Sequence, residues 1–469
     1  MDLKQKVKRI GQEHLLRFLD ELPPQGRQRL LGELEGLDFS HIPAWVQECV
    51  TNDSPGAVPT DFEPAPSYPA EPGTADEREK YARARQTGQS LIAAGKVAGF
   101  VVAGGQGTRL GFDGPKGDFP TSPVRKKTLF RIFAESLLAA SEKYGVTIPW
   151  YVMTSPLNHA ATVEIFESSG FFGLDKKDVF LFQQGTMPNF DFDGKILLAA
   201  KDKIASSPDG HGGSLKALFK SGAIADMRRR GIDYISYWQV DNPLVHPVDP
   251  LFIGLHVLDD SEMSSKALIK ADPLEKVGNF CLVDGKVTVI EYSDLPDEQA
   301  LARSDDGSLA FELGSIGIHM IDVAFVEKLN RGDDFALPLH RAVKKIQHID
   351  AEGNPVVPEK PNGVKLETFV FDALPMAEHS MILQTRRQEE FAPVKNASGS
   401  DSPEVTRRMM IERAARWLEQ AGVDVPRTAG GELDCVLEIA PGFALCAEDV
   451  KGKVDAVPPI KSGDTLCLE

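Results

Sequence analysis

The sequence predicts an α/β protein: a central, mainly parallel mixed sheet wrapped by helices, with a helical N-terminal segment and a small β-rich module at the C-terminus. Three observations predict it. Short apolar runs alternate with amphipathic stretches through the middle of the chain, a glycine-rich loop follows the first of those runs, and the texture changes near both ends. At 469 residues the chain exceeds one ordinary core. The predicted division is 1–75 for the helical segment and a Pro-rich connector, 76–395 for the sheet domain, and 396–469 for the C-terminal α/β module.

Within residues 1–50, Leu15, Leu16, Phe18 and Leu19, then Leu30, Leu31, Leu34 and Leu37, recur at helix-face spacing. The stretch 51–75 is rich in Pro and polar residues without periodicity, and reads as an extended surface connector. A helix rich in Arg, Glu and Ala is predicted over about 76–94. VAGFVVA (97–103) reads as a buried strand, followed by the glycine loop and a helix over 128–145. WYVMTS (150–155) precedes a helix near 158–168, and VFLFQQG (179–185) and YISYWQVDN (234–242) are further buried strands, the latter after a helix around 214–230. Such alternation implies parallel pairing with helices on both faces. Ligands bind such sheets at the carboxyl ends of the strands, so loops 104–116, 183–188 and 241–243 are expected to gather there. From about 395 come a loop (396–404), a helix (407–422) and short strands (433–469).

Composition narrows the function. With 42% hydrophobic and 26% charged residues the chain reads as globular, and no run approaches the roughly 18 apolar residues of a membrane helix. MDLKQKVKRIGQEHLL lacks the apolar core of a signal peptide, so a cytoplasmic location is expected. Five dispersed cysteines without a C-x-x-C pair argue against a disulfide framework or a structural zinc site. A net charge of −17 disfavours nucleic acid and anionic membranes as partners, but a few local cations can still bind a small phosphorylated substrate.

The segment Val101 to Pro120, VVAGGQGTRLGFDGPKGDFP, suits such a substrate. Its glycines let backbone N–H groups approach a phosphate, and Arg109 and Lys116 add fixed positive charge. It is neither of two familiar loops. Counting G-x-G-x-x-G from Gly105 puts Leu110 at the third glycine, and Lys116 lies between Pro115 and Gly117 rather than in G-K-[ST]. An ordinary turn between strand and helix is the plain alternative.

Gly104-Gly105-Gln106-Gly107-Thr108-Arg109-Leu110-Gly111 with Pro115-Lys116 resembles the signature loop of the eukaryotic-type UDP-sugar pyrophosphorylases. SPVRKKTLFRIFAE (122–135), FQQGTMP (182–188), FDGKILL (192–198), SPDGHGG (207–213), VDNPLV (240–245), VIEYS (289–293), EKPNGVKLETFVFD (359–372) and EEFAPVKNA (389–397) resemble the UDP-N-acetylhexosamine pyrophosphorylase branch in particular, in order over roughly 80–400. The resemblance implies a Rossmann-like, GT-A-like nucleotidyltransferase. It would join UTP to a hexose 1-phosphate with Mg²⁺ as cofactor, releasing pyrophosphate.

The resemblance also implies roles. Ala103, Gly104, Gly105 and Gly210 match nucleotide-holding positions, and Gln184 and Gly185 match residues reading the uracil edge, for which an amide carries both a donor and an acceptor. Arg109, Lys116 and Lys365 match the cations on the phosphates. Lys365 follows a predicted tight turn at Pro361-Asn362-Gly363 and precedes a predicted strand over 366–371. Asp241 matches the metal-binding carboxylate of the nucleotide site, and His211, Gly278, Glu291 and Ser315 match the sugar side. There the chain departs from its branch: His211 and Ser315 stand where Asn is usual, as does Ile318 nearby. N-acetylglucosamine 1-phosphate, glucose or galactose 1-phosphate and a broad sugar range all stay open. Two readings from other classes are a UDP-sugar binder without turnover and a dehydrogenase with a degenerate loop. Oligomeric state is not legible in the sequence.

Overall fold

The computed structural model describes residues 2–52, 59, 61–332 and 337–469. The chain forms two compact units, each assembled from separated segments: Met1–Pro59, Gln184–Ser214 and Ala336–Asp372 in the smaller, and Thr60–Gln183, Leu215–Phe335 and Ala373–Glu469 in the larger.

The larger unit is built on a ten-stranded mixed sheet. Val97–Val102, buried at every position, lies between Tyr234–Gln239 and Trp150–Thr154, with Val179–Gln183 beyond, all parallel. Leu313–Asp322 runs antiparallel to Tyr234–Gln239 and to Met263–Ile269. The hairpin of Asn279–Val283 and Lys286–Ile290 turns at Asp284 and Gly285, both at positive φ as a two-residue turn of this hand requires. The fold class is the α/β arrangement expected, with the glycine loop at the carboxyl end of its parallel half.

Helices cover this sheet for legible reasons. Ala75–Ala93 starts with a capping box between Thr74 and Glu77. Leu129–Tyr144 is capped by Thr128 and ends at Gly145 with φ +65°. Ala75–Ala93 crosses Pro250–Leu258 where Gly88 meets the Pro250 backbone and Gly254 meets the Ala84 backbone; a Cβ at either glycine would overlap main-chain atoms.

Several expected boundaries move. The helix expected at 214–230 is two, Gly213–Lys220 and Ala223–Arg230, split at Gly222 with φ +84°. The C-terminal helix is Pro403–Gln420, because Ser402 caps it and Pro403 occupies its first turn. The final segment carries one parallel strand pair, Val436–Ile439 with Thr465–Leu468, and a helix, Ala447–Lys451. Part of the connector (53–58 and 60) lies outside the described residues, but Glu63–Pro64 joins the sheet edge beside Asn279–Val283, where proline's missing N–H is tolerated. The strand expected at 366–371 is Gly363–Glu367, so Gly363 lies within a strand rather than in a turn.

In the smaller unit that strand pairs with His340–Lys344 and Phe190–Asp191. A Cβ at Gly363 would overlap the Phe190 carbonyl, so close strand approach is what requires glycine there. Its core combines Val7, Leu15, Phe18, Leu30, Leu34 and Ile42 with Phe190, Ile196, Leu198, Val364 and Leu366.

Candidate active site

In the larger unit the glycine loop leaves the strand end at fully buried Ala103. Three carbonyls in a row are held from behind. Asn158 Nδ2 donates to Ala103 O at 2.9 Å and Gly105 O at 3.2 Å, and Ser155 Oγ donates to Gly104 O at 2.9 Å. Asn158 is itself fixed, since its Oδ1 accepts from Ser155 N at 2.8 Å. A trans peptide sets its N–H opposite its C=O, so the N–H groups of Gly104, Gly105 and Gln106 point away from Asn158 and Ser155. That is a row of donors suited to an anion.

The loop then folds back on itself. Gly107 N donates to Gly114 O and Lys116 N to Gly105 O, at 2.9 and 3.0 Å. A Cβ at Gly117 would enter the Phe130 ring, so this glycine seats the loop on the core. Lys116 Nζ lies 3.6 Å from Asp241 Oδ2, each side chain about one-sixth exposed. Arg109 is exposed and makes no ion pair among the described residues. Asp241 follows Tyr234–Gln239, and its carbonyl accepts from Val394 N at 2.8 Å.

Three expected sugar-side residues also meet in this unit. Ser315 N donates to Gly278 O at 2.8 Å, and a Cβ at Gly278 would stand 3.4 Å from Glu291 Oε1 and overlap Val289. The pairing of Met263–Ile269 with Leu313–Asp322 is interrupted between Ser265↔His319 and Ala267↔Ser315, and Gly317, at φ +68°, lies in the bulge.

The smaller unit carries the rest. Gln184 is buried, its Nε2 donating to Asp209 Oδ1 at 3.1 Å and Gly210 O at 3.3 Å. Gly185 packs against the Asp209 carboxylate, which a Cβ there would strike. Gly210, at φ +82°, and Gly212 pass so close to the Thr368 backbone that neither admits a side chain. His211 stacks on Phe369 with ring centroids 5.2 Å apart, and its Nδ1 accepts from Val370 N at 3.1 Å. Burial, helped by neighbouring His340, pushes the His211 imidazole down to about 4, so it is neutral at ordinary pH. Lys365 sits mid-strand opposite Ala342.

Thus Ala103, Gly104, Gly105, Arg109, Lys116, Asp241, Gly278, Glu291 and Ser315 lie in the larger unit, and Gln184, Gly185, Gly210, His211 and Lys365 in the smaller. Ser155, Asn158, Asp209 and Thr368 support these loops without standing out in the sequence. WYVMTS ends on Ser155, but nothing in that spacing says that its hydroxyl reaches a loop 51 residues away.

A Mg²⁺ site can be tested against the donors present. No group of three or more His, Cys, Asp or Glu suited to a metal occurs among the described residues. Asp241 supplies one hard carboxylate beside the loop, which fits an ion that takes one or two protein carboxylates and fills its octahedron with phosphate oxygens and water.

Known proteins bear on this arrangement. The family described as UTP–glucose-1-phosphate uridylyltransferase matches residues 69–467. The chain is 40% identical over 434 residues to the human UDP-N-acetylhexosamine pyrophosphorylase-like protein 1, covering 90% of this chain and 86% of that one. It is 36% identical to the Saccharomyces cerevisiae UDP-N-acetylglucosamine pyrophosphorylase, covering 97% and 98%. The crystal structure of the Trypanosoma brucei UDP-N-acetylglucosamine pyrophosphorylase with an inhibitor superposes with a TM-score of 0.84 at 26% identity, covering 100% of this chain and 98% of that one. By this match and these relatives, the chain belongs to the UTP–glucose-1-phosphate uridylyltransferase family.

Proposed function

We propose that this chain is a uridylyltransferase that joins UTP to a hexose 1-phosphate, giving a UDP-sugar and pyrophosphate. One observation carries the reading: the carbonyls of Ala103, Gly104 and Gly105 are tied back together, so a row of N–H groups faces the other way beside the Lys116–Asp241 pair. Family membership supports it. The sugar 1-phosphate oxygen is already anionic and needs no general base. It attacks the α-phosphorus in line, the new P–O bond forms as the bond to pyrophosphate breaks, and the chain's work is alignment and charge neutralisation.

Arg109, Lys116 and Lys365 are assigned to the phosphates, Gly104, Gly105, Gly185 and Gly210 to close backbone approach, and Gln184 to the uracil edge. Asp241 is the residue that would hold Mg²⁺, which when bound adds positive charge at the phosphates. N-acetylglucosamine 1-phosphate is the first substrate to test, because relatives at 36% identity and above carry that sugar or N-acetylhexosamine in their names. A second reading, glucose or galactose 1-phosphate, is favoured by His211 and Ser315 on the sugar side, which offer a ring and a hydroxyl in place of amides. No helix of the described residues is long and apolar enough to cross a membrane, and we assign the chain to the cytoplasm.

The test is pyrophosphate release by the purified chain with Mg²⁺, UTP and a panel of N-acetylglucosamine, N-acetylgalactosamine, glucose and galactose 1-phosphates. Release with at least one is expected. No release with any, alongside UDP-sugar binding by calorimetry, would leave a binder without turnover.

A further inference from the structure

The C-terminal residues contribute nothing to the site as assigned above, yet they hold both loops that bring Lys116 and Asp241 together. Beyond Lys116, Arg407 donates to Pro120 O at 2.8 Å and Thr121 O at 3.1 Å. The Glu438 carboxylate accepts from Val124 N and Arg125 N at 2.7 and 2.8 Å, a strong two-donor anchor. Glu469 pairs with Arg125 and Lys127 at 2.7 and 3.1 Å.

Beyond Asp241 the hold is tighter. Asn242 Nδ2 donates to Glu390 O at 2.7 Å, Ala392 N donates back to Asn242 Oδ1 at 3.1 Å, and Val394 N donates to Asp241 O at 2.8 Å. The segment 389–394 is therefore a strap laid along the Asp241 loop. Its near end is pinned to the sheet through Glu390, whose carboxylate oxygens both sit 2.6 Å from the buried Lys266 Nζ, shared with Asp249 at 2.6 Å. Its other attachment is the helix Pro403–Gln420. Arg413 Nη1 donates to Leu244 O at 2.8 Å and to Glu389 O at 3.0 Å, joining loop and strap through one guanidinium. Arg416 Nε and Trp417 Nε1 hold the Glu389 carboxylate at 3.0 and 2.8 Å.

We infer that Arg413 is a positioning residue: by bridging the carbonyls of Leu244 and Glu389 it fixes the Asp241 loop, and with it the carboxylate's place beside Lys116. The C-terminal helix is then a brace for the phosphate end of the site, and this rests on the uridylyl-transfer reading. Arg413 is the side chain that reaches both this loop, at Leu244, and the strap bonded to Asp241 and Asn242, at Glu389, and small misplacements at a reacting centre are costly to rate.

The experiment uses the full-length chain and the variants R413A, R413K, D241N, R413A/D241N and R413K/D241N. Turnover and both KM values are measured, together with hydrogen exchange of the apo proteins. R413A is expected to lower kcat about ten-fold or more, in line with a misplaced catalytic group. In the D241N background, where the positioned group is already lost, R413A should lower the remaining rate by less than about two-fold, the non-additivity that marks action through Asp241. R413K, which keeps a charged donor, should recover part of the loss. Amides at 242–247 should exchange faster in R413A while those of Val97–Val102 stay protected.

Equal factors in both backgrounds, D241N turnover equal to wild type, or R413A and R413K both near wild type would each overturn the inference. Should R413A fail to fold, R413K and its cycle with D241N decide on the same criteria. A wild-type chain that releases no pyrophosphate overturns the functional reading instead. The brace is then judged by exchange alone, and unchanged protection at 242–247 in R413A or R413K overturns it.

Discussion

Arg109 and Lys365 present the same chemistry in different settings, one exposed on the glycine loop and one within the strand Gly363–Glu367. Neither is needed to fill a core, so Arg109→Ala and Lys365→Ala should each lower kcat by about a hundred-fold while shifting the melting temperature by only a degree or two. Steady-state kinetics beside thermal melts checks this, and near-normal turnover in either variant would redraw the phosphate assignment. His211 lends itself to a test by pH. Its folded value, about 4, lies below the ordinary 6.5, so between those values the unfolded chain binds more protons than the folded one. The stability from burying the neutral ring is complete above pH 6.5 and is lost as pH falls toward 4, by about 3 kcal/mol. The fall in melting temperature from pH 7 to 4.5 should be smaller in His211→Asn than in the wild type. Equal falls would show that the imidazole's environment does not disfavour its charge.

Among elements, the crossing of Ala75–Ala93 over Pro250–Leu258 depends on two absences of side chain. At Gly88 and Gly254 helix propensity alone would favour Ala, but main-chain atoms of the partner helix occupy the space. Gly88→Ala should therefore destabilise the chain by about 2 kcal/mol or more, read as a lowered denaturation midpoint, whereas Gly32→Ala, at an open position in Pro24–Glu35, should be neutral or slightly stabilising. The same contrast explains what was legible in the sequence. The strands from Val97, Trp150, Val179 and Tyr234 stand out because each buries a short apolar run, and the helix Leu129–Tyr144 because Thr128 and Gly145 bound it. Local pattern does not reveal the limits of the strand Gly363–Glu367, because they depend on partners. Asn362 and Gly363 look like a turn locally, but Gly363 is pressed against Phe190, and Thr368 is drawn out of the strand by Asp209. Of the candidate site, the assigned glycines and cations stand out as local pattern. Ser155, Asn158 and Asp209 do not, since what they hold is distant in sequence or lies on another element.

On the scale of the whole chain, the N-terminal helices acquire a purpose that no local pattern announces. The family match begins at residue 69, and the glycine loop is complete without them. Yet Val7, Leu15, Phe18, Leu19, Leu30, Leu34, Ile42 and Val50 make up most of the apolar wall on which Phe190, Ile196, Leu198, Val364 and Leu366 are buried. Polar bonds match the packing: Gln12 Nε2 donates to Gly194 O at 2.8 Å while its Oε1 accepts from Ile196 N at 2.9 Å, and His14 Nε2 lies 2.7 Å from Ile196 O. The strand carrying Lys365 thus has its inward faces, Val364 and Leu366, covered by residues more than three hundred positions earlier. Removing residues 1–50 would expose that face to water and leave a unit of 31 and 37 residues with half a core, too little to hold its shape. The deletion should abolish turnover while the larger unit keeps its fold, seen as retained protection of Val97–Val102 and lost protection of Gly363–Glu367 in hydrogen exchange. Leu34→Ala is the graded version. It should lower stability by about 2–5 kcal/mol yet leave kcat near wild type at 25 °C, since it weakens the wall without removing it. A deletion variant that turned over normally would mean that the smaller unit's strands hold Lys365 without the helices, and the N-terminal segment would need another role.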